Sequence, residues 1–272
     1  MPRRWAEYFQ YHLTKSRVED TVKLLYALEK YDATQKSKER DYDEQKDVKE
    51  NQELHHINAK AKKVLDLGCG TGNDALYFLK AGFEVTVQDG EEAAIEIVKD
   101  RCRAEGLPAP KTIVAKFEAM EFPEQYDIIN ASLALPFVDR EYFPSFWIKI
   151  FQHLKENGRF SGNFFGNHHA WVDSPEGQTE VYLTYNEVRD LFRPFCVQGF
   201  AEEAAPAQTV LEGQKFWHQW DVVAQKKSVS PLLFLMPPPG KSSAKSAVEK
   251  KELSEVDKMA VEVVARVVNK NK

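Results

Sequence analysis

Cysteine is scarce in this chain: three residues in 272, Cys69, Cys102 and Cys196, with no paired spacing. That excludes a disulfide framework and a cysteine zinc site. The histidine pairs His55-His56 and His168-His169 are adjacent, and neighbours on a strand or helix rarely face one metal, so no metal is expected. No apolar run approaches the length of a membrane span, and Met1-Pro2-Arg3-Arg4-Trp5 lacks the apolar core of a signal peptide. The expectation is a cytoplasmic protein with no membrane partner. Basic residues are not in excess either: 37 Lys and Arg against 42 Asp and Glu give a net charge of −5. Without a broad basic face to follow a phosphate backbone, nucleic acid is not an expected partner.

What is present is concentrated in one turn. Of the 13 glycines, three alternate in Gly68-Cys69-Gly70-Thr71-Gly72, directly after the apolar run Val64-Leu65-Asp66-Leu67. Glycines let the chain turn tightly and approach a ligand, and the helix that follows offers unpaired amide donors. A dinucleotide fingerprint would place its third glycine where Asn73 stands, so the spacing is GxGxG rather than GxGxxG. The carboxylate of Asp66 at the mouth of the turn is the wrong sign for a pyrophosphate and the right sign for a cationic sulfonium and ammonium ligand. Beyond the turn, Ala75 to Leu79 has helical apolar spacing, Gly82 ends it, and Phe83 to Val87 reads as a buried strand closed by Asp89. Asp89 lies 17 residues past Gly72, a spacing at which an acid accepts ribose hydroxyls. It would equally serve as a helix N-cap, with Glu91 and Glu92 as first-turn acids.

The alternation continues. Thr112 to Ala115 and Tyr126 to Leu133 read as strands, Glu141 to about Glu156 as a helix, Arg159 to Gly166 as a strand after the turn Asn157-Gly158, and Tyr185 to Phe192 as a helix. A closing pair spans Gln198 to Ala204 and Lys215 to Gln225. The glycine turn with its acid closely resembles the first motif of class I S-adenosylmethionine (SAM)-dependent methyltransferases. Asn163-Phe164-Phe165-Gly166-Asn167 and Lys215 to Trp220 resemble a bacterial small-molecule branch related to the tellurite and thiopurine group. The resemblance runs over roughly residues 5 to 226. It implies an α/β fold with a doubly wound, mostly parallel seven-stranded sheet of Rossmann-like type, whose last strand is antiparallel, with a helical N-terminal lid and a helical tail.

The resemblance also implies SAM as cofactor and a small-molecule methyl acceptor. Asp66, Gly68, Cys69, Gly70, Gly72 and Asn73 would form the methionine end of the site. Asp89 and Gly90 would take the ribose, Phe117 and Glu118 the adenine, and Asn130 and Ala131 would lie beside the methyl group. Relatives carry an acid for the adenine amino group where this chain has Lys116, which leaves Phe117 as the ring contact and Glu118 as a substitute acceptor. Asn130 is not followed by the Pro-Pro box of methyltransferases that act on DNA bases or glutamine amides, which argues against those substrates. Relatives also open with a Trp and aromatic pair like Trp5-Ala6-Glu7-Tyr8-Phe9, placing Tyr8 and Arg17 by the cofactor or acceptor.

The resemblance implies a helical lid (1–33) and a SAM-binding core (59–227), and composition adds a charge-dense insertion (34–58), a Pro- and Ser-bearing linker (228–246) and an amphipathic helix (247–272). The last could pack on its own domain, self-associate or dock on a protein partner. Methyl transfer from a sulfonium asks for alignment and exclusion of water rather than a catalytic dyad, so no catalytic residue is assigned. For an acceptor that must lose a proton, Tyr8, His168 and His218 are the candidate bases, with Trp171 and Trp217 shaping selection. Two rivals stand beside this reading: a NAD-dependent oxidoreductase, opposed by the GxGxG spacing and Asp66, and a SAM-binding or degenerate scaffold acting through its tail.

Overall fold

The computed structural model describes residues 18–30, 32–33, 61–209 and 212–227, with Glu7, Phe9, Gln10 and Leu13 from the N-terminal stretch. The insertion, the linker, the C-terminal helix and the residues Trp5, Tyr8 and Arg17 lie outside the described residues.

The strands are β1 (Lys63–Leu67), β2 (Glu84–Asp89), β3 (Lys111–Val114), β4 (Tyr126–Ala131), β5 (Leu154–Gly166), β6 (Tyr182–Leu183), β7 (Phe195–Thr209) and β8 (Gly213–Lys226). They form one sheet in the order β3-β2-β1-β4-β5-β8-β7, with β6 added beside β5. The first five pair in parallel, and β8 runs antiparallel to both β5 and β7. The expected seven-stranded path is therefore present in a mixed sheet of eight strands. The eighth, β6, pairs only through Phe165↔Tyr182 and Gly166↔Leu183; two residues carry too short an alternation to be read as a strand.

The helices are α1 over residues 20–30, α2 (Asn73–Lys80), α3 (Glu92–Ala104), α4 (Phe143–His153) and α5 (Tyr185–Leu191). Because successive side chains of a strand point to opposite faces, β1 sends Val64 to one side and Leu65 and Leu67 to the other. Val64 joins Val22 and Leu25 of α1, Ala75 and Phe78 of α2, and Ile95 and Val98 of α3. Leu65 and Leu67 join an aromatic mass around Trp147 of α4. Its indole lies 5.2 Å from both Phe160 and Phe192 and 5.8 Å from Phe164, in edge contacts. Helices thus cover both faces of the central parallel strands, which is why β1, β2 and β4 are buried along most of their length while the edge strand β3 is not. The predicted helix from Glu141 is shorter, running from Phe143 to His153 with Pro144 in its first turn. α5 opens on a capping box between Thr184 and Glu187.

α1 is fastened to the sheet by charge as well as by packing. The Arg159 guanidinium on β5 is nearly inaccessible and pairs with Glu29 and, at 2.7 Å, with Asp32, while its Nε donates to Gln198 at 2.8 Å. Glu29 also pairs with Lys62.

Candidate functional site

Strand order reverses between β1 and β4, and in open α/β sheets the carboxyl ends of the strands at such a switch point are where a ligand crevice lies. The glycine turn occupies this position. Gly68, Gly70 and Gly72 all have positive φ (62°, 51° and 79°), a region that side chains strain to enter. Packing differs among them. A Cβ on Gly68 would stand 2.7 Å from the Ala134 Cβ, and one on Gly72 would stand 2.6 Å from Val98 Cγ2. One on Gly70 would meet only Phe9 Cε1 at 3.8 Å.

Behind the turn lies a buried acid cluster. The Asn130 amide donates to Asp66 Oδ1 at 2.8 Å and to Asp74 Oδ2 at 3.1 Å, and its oxygen accepts from the Ser161 hydroxyl at 2.6 Å. Asp66 Oδ2 is buried without a hydrogen-bond partner. Burial, reinforced by the neighbouring Asp74 charge, holds the Asp66 carboxyl well above the usual carboxylate range, and burial raises Asp74 as well. The backbone N–H of Glu19, just before α1, donates to Asp74 Oδ1 at 3.4 Å. Burial and the charges of Asp66 and Asp89 push the Cys69 thiol up, so it stays protonated.

Of the two readings of Asp89, the helix cap is not found. Helix α3 begins behind Glu91, so Asp89 is not its N-cap. Its Oδ2 accepts from Gly70 N at 2.9 Å and its Oδ1 from Glu91 N at 2.9 Å, tying the glycine turn to the end of β2. A carboxylate has further lone pairs, so these bonds leave it able to accept hydroxyls. Gln88, which the sequence reading did not select, is fully buried. Its side chain accepts from Gly68 N at 3.0 Å and donates to Ala115 O at 2.6 Å, stitching the turn to the end of β3.

The other predicted residues fall around this frame. Phe117 packs on Phe146 at 5.2 Å, its ring 3.5 Å from where a Gly68 Cβ would be. Glu118 is exposed and accepts from Asp139 N at 3.3 Å. Gly90 faces the Lys116 stem, Ala131 is buried at the end of β4, and Asn73 Oδ1 accepts from Arg101 at 2.8 Å. The structure therefore gathers Asp66, Asn130, Asp89 and the three glycines, and leaves Glu118 at the rim. Asp74 was also missed, although it stands at the second position of α2.

Farther along the same edge, His169 and Trp171, which follow β5, cluster with Phe165 of β5, Tyr182 of β6 and Trp217 of β8. Of the candidate bases in this region, His168 is exposed. Both ring nitrogens of His218 are engaged: Nδ1 accepts from His168 N at 3.0 Å, and Nε2 faces Glu202 Oε1 at 3.1 Å. Among the described residues, no three His, Cys, Asp or Glu side chains converge as metal ligands, and no helix is long and apolar enough to cross a membrane.

Comparison with known proteins covers the segment that carries the glycine turn. A family model described as a methyltransferase domain matches residues 64–158. The probable S-adenosyl-L-methionine-dependent methyltransferase TehB of Haemophilus influenzae is 34% identical over 100 residues, 37% of this chain and 33% of that protein. The ubiquinone biosynthesis O-methyltransferase of Stutzerimonas stutzeri is 34% identical over 76 residues, 28% of this chain and 33% of that protein. The chain spans about a third of the length of these curated relatives. The crystal structure of TehB from Haemophilus influenzae shares the fold with a TM-score of 0.54 at 24% identity, covering 62% of this chain and 59% of that one.

Proposed function

We propose that this chain, whose residues 64–158 match a methyltransferase domain and which is similar over 100 residues to a probable SAM-dependent methyltransferase, is a class I enzyme related to the tellurite methyltransferase group that moves a methyl group from SAM to a small-molecule acceptor. The observation that carries the reading is Asp66 Oδ2, a buried carboxylate oxygen without a partner at the mouth of a glycine turn. Two buried carboxyls sharing one amide suit a cation and oppose a phosphate, which also sets the NAD reading aside.

SAM, when bound, supplies a methyl group on a positively charged sulfur that is already a good leaving group. Asp66, with Asp74 behind it, would face the cationic methionine end. Gly68 and Gly70 let the backbone come close, and Asp89 holds Gly70 N while keeping lone pairs for the ribose. Phe117 would lie against the adenine, with Glu118 the nearest acid to stand in for the one that Lys116 replaces. The N-terminal segment would close the crevice from above, in keeping with Phe9 beside Gly70 and with Glu19 N on Asp74. The chain's contribution is alignment and exclusion of water, worth several orders of magnitude without any group entering covalent chemistry.

Titration calorimetry with SAM and with its demethylated product tests this. Both should bind the full chain, NADH should not, and Asp66→Asn and Asp89→Ala should each weaken both ligands. Absence of SAM binding, or unchanged affinity in both variants, would remove the proposed site.

A further inference from the structure

We infer that His169 Nε2–H anchors the methyl acceptor, and that the acceptor is a planar aromatic molecule bearing a neutral carbonyl oxygen or ring nitrogen away from the atom to be methylated. The inference rests on the methyltransferase reading and adds the acceptor's chemical class.

The argument begins with the tautomer. The Trp171 backbone N–H donates to His169 Nδ1 at 3.2 Å, which puts the ring proton on Nε2. That Nε2 is buried and has no hydrogen-bond partner. The surrounding polar groups are all satisfied. Trp171 Nε1 donates to Glu212 at 3.0 Å, Trp217 Nε1 to Gln219 at 2.9 Å, and the Tyr182 hydroxyl to Glu180 at 2.5 Å. One buried N–H donor in an aromatic cluster is therefore left without a partner, which normally costs about 1–3 kcal/mol and which a bound acceptor atom would offset.

The surroundings define what could satisfy it. The imidazole stacks on Phe165 at 4.1 Å and meets Trp217 at 4.8 Å and Trp171 at 4.9 Å. The two indoles are only partly buried, so the cluster has a side toward solvent. Such walls favour a flat aromatic guest. Burial and the nearby His218 lower the His169 pKa to about 4, so the ring is neutral at physiological pH. With Nδ1 occupied and Nε2 protonated it is a donor and not a base. A donor on the reacting atom would blunt its nucleophilicity, so the bond belongs on a different atom of the acceptor.

The cluster also adjoins the cofactor end. The Asn163 side chain on β5 accepts from Leu133 N, just past β4, at 3.0 Å, and the Phe137 ring lies 5.5 Å from Phe165. The segment after β4, which follows Asn130 and Ala131, is thus bonded to β5 and packed on the ring that stacks on His169.

A matched pair of probes tests the inference on the full chain: quinoline, with a ring nitrogen, and naphthalene, without one. In protein labelled with 15N-histidine, quinoline should shift the His169 Nε2 resonance and bind on the order of tenfold more tightly than naphthalene. His169→Phe keeps the stacking and should abolish that preference, whereas His169→Gln, which retains an N–H, should restore part of it. Equal binding of both probes, no binding of either, a preference that survives His169→Phe, or an Nε2 proton already bonded to internal water and unmoved by quinoline would each overturn the inference. Should a variant fail to fold, the wild-type resonance decides alone. SAM calorimetry on the same samples judges the methyltransferase reading separately, because loss of SAM binding would leave the probe result intact.

Discussion

A pair of substitutions in the glycine turn separates folding from binding. Gly70 and Gly72 have the same hand of backbone, so alanine at either position carries the left-handed penalty, about 1–2 kcal/mol, partly offset by the loss of unfolded-state freedom. At Gly72 the new methyl would also stand 2.6 and 3.2 Å from the two Val98 methyls and 3.3 Å from Leu76 Cδ1. Val98 is held in α3 and packed against the sheet, so overpacking adds about 1–3 kcal/mol. At Gly70 the nearest atom is Phe9 Cε1 at 3.8 Å, an ordinary contact. Gly70→Ala should therefore cost about 1 kcal/mol, lowering Tm by roughly 2–4 °C, while Gly72→Ala should cost about 2–4 kcal/mol and lower it by roughly 5–12 °C. Binding should rank the other way. The methyl on Gly70 enters the space proposed for SAM, and a loss of 1.4–2.8 kcal/mol there is about 10–100-fold in Kd. Thermal scanning gives the first ranking and calorimetry with SAM on folded protein gives the second. If Gly70→Ala destabilises as much as Gly72→Ala while leaving SAM affinity intact, the turn is a structural device and the reasoning fails.

Three further outcomes follow from contacts already described. Gly68→Ala should destabilise strongly because of its clash with the Ala134 Cβ, and Ala134→Gly should recover part of the loss, a coupling that a double-mutant cycle of urea midpoints measures. Because Asp66 and Asp74 hold their protons more tightly folded than unfolded, the protein binds more protons in its native state. The ligand-free form should therefore lose stability as pH rises from about 4 toward the raised native values; Asp66→Asn should flatten that slope in thermal melts. Arg159→Met leaves Glu29 its Lys62 partner and should cost less than the combined Glu29→Leu and Asp32→Leu change. The latter strands a buried guanidinium and should cost about 3–5 kcal/mol by chemical denaturation.

How far the sequence foretold these features depends on the range over which each is decided. The glycine turn was legible because its constraint is local: three positive φ values demand three glycines wherever the chain ends up. The central parallel strands were legible because burial on both faces gives each a short apolar run, such as Val64-Leu65 or Ile128-Ile129, that lies within one window. Gln88 was not, since its value comes from bridging Gly68 and Ala115, groups on either side of it that become neighbours only when β1, β2 and β3 align. Asp89 was read as either a ribose acceptor or a helix cap. Its observed bonds to Gly70 and Glu91 depend on how the turn folds back over β2. His169 was visible as half of a histidine pair, but its tautomer is set by the Trp171 amide and its isolation by the rings of Phe165 and Trp217. Two of the buried unpartnered groups, an acceptor on Asp66 within β1 and a donor on His169 after β5, stand about a hundred residues apart. Hydrogen-bond balance in such a crevice is a sum over several strands, so the residues with bonds left to make are the ones that local pattern reading passes over and that assembly of the sheet exposes.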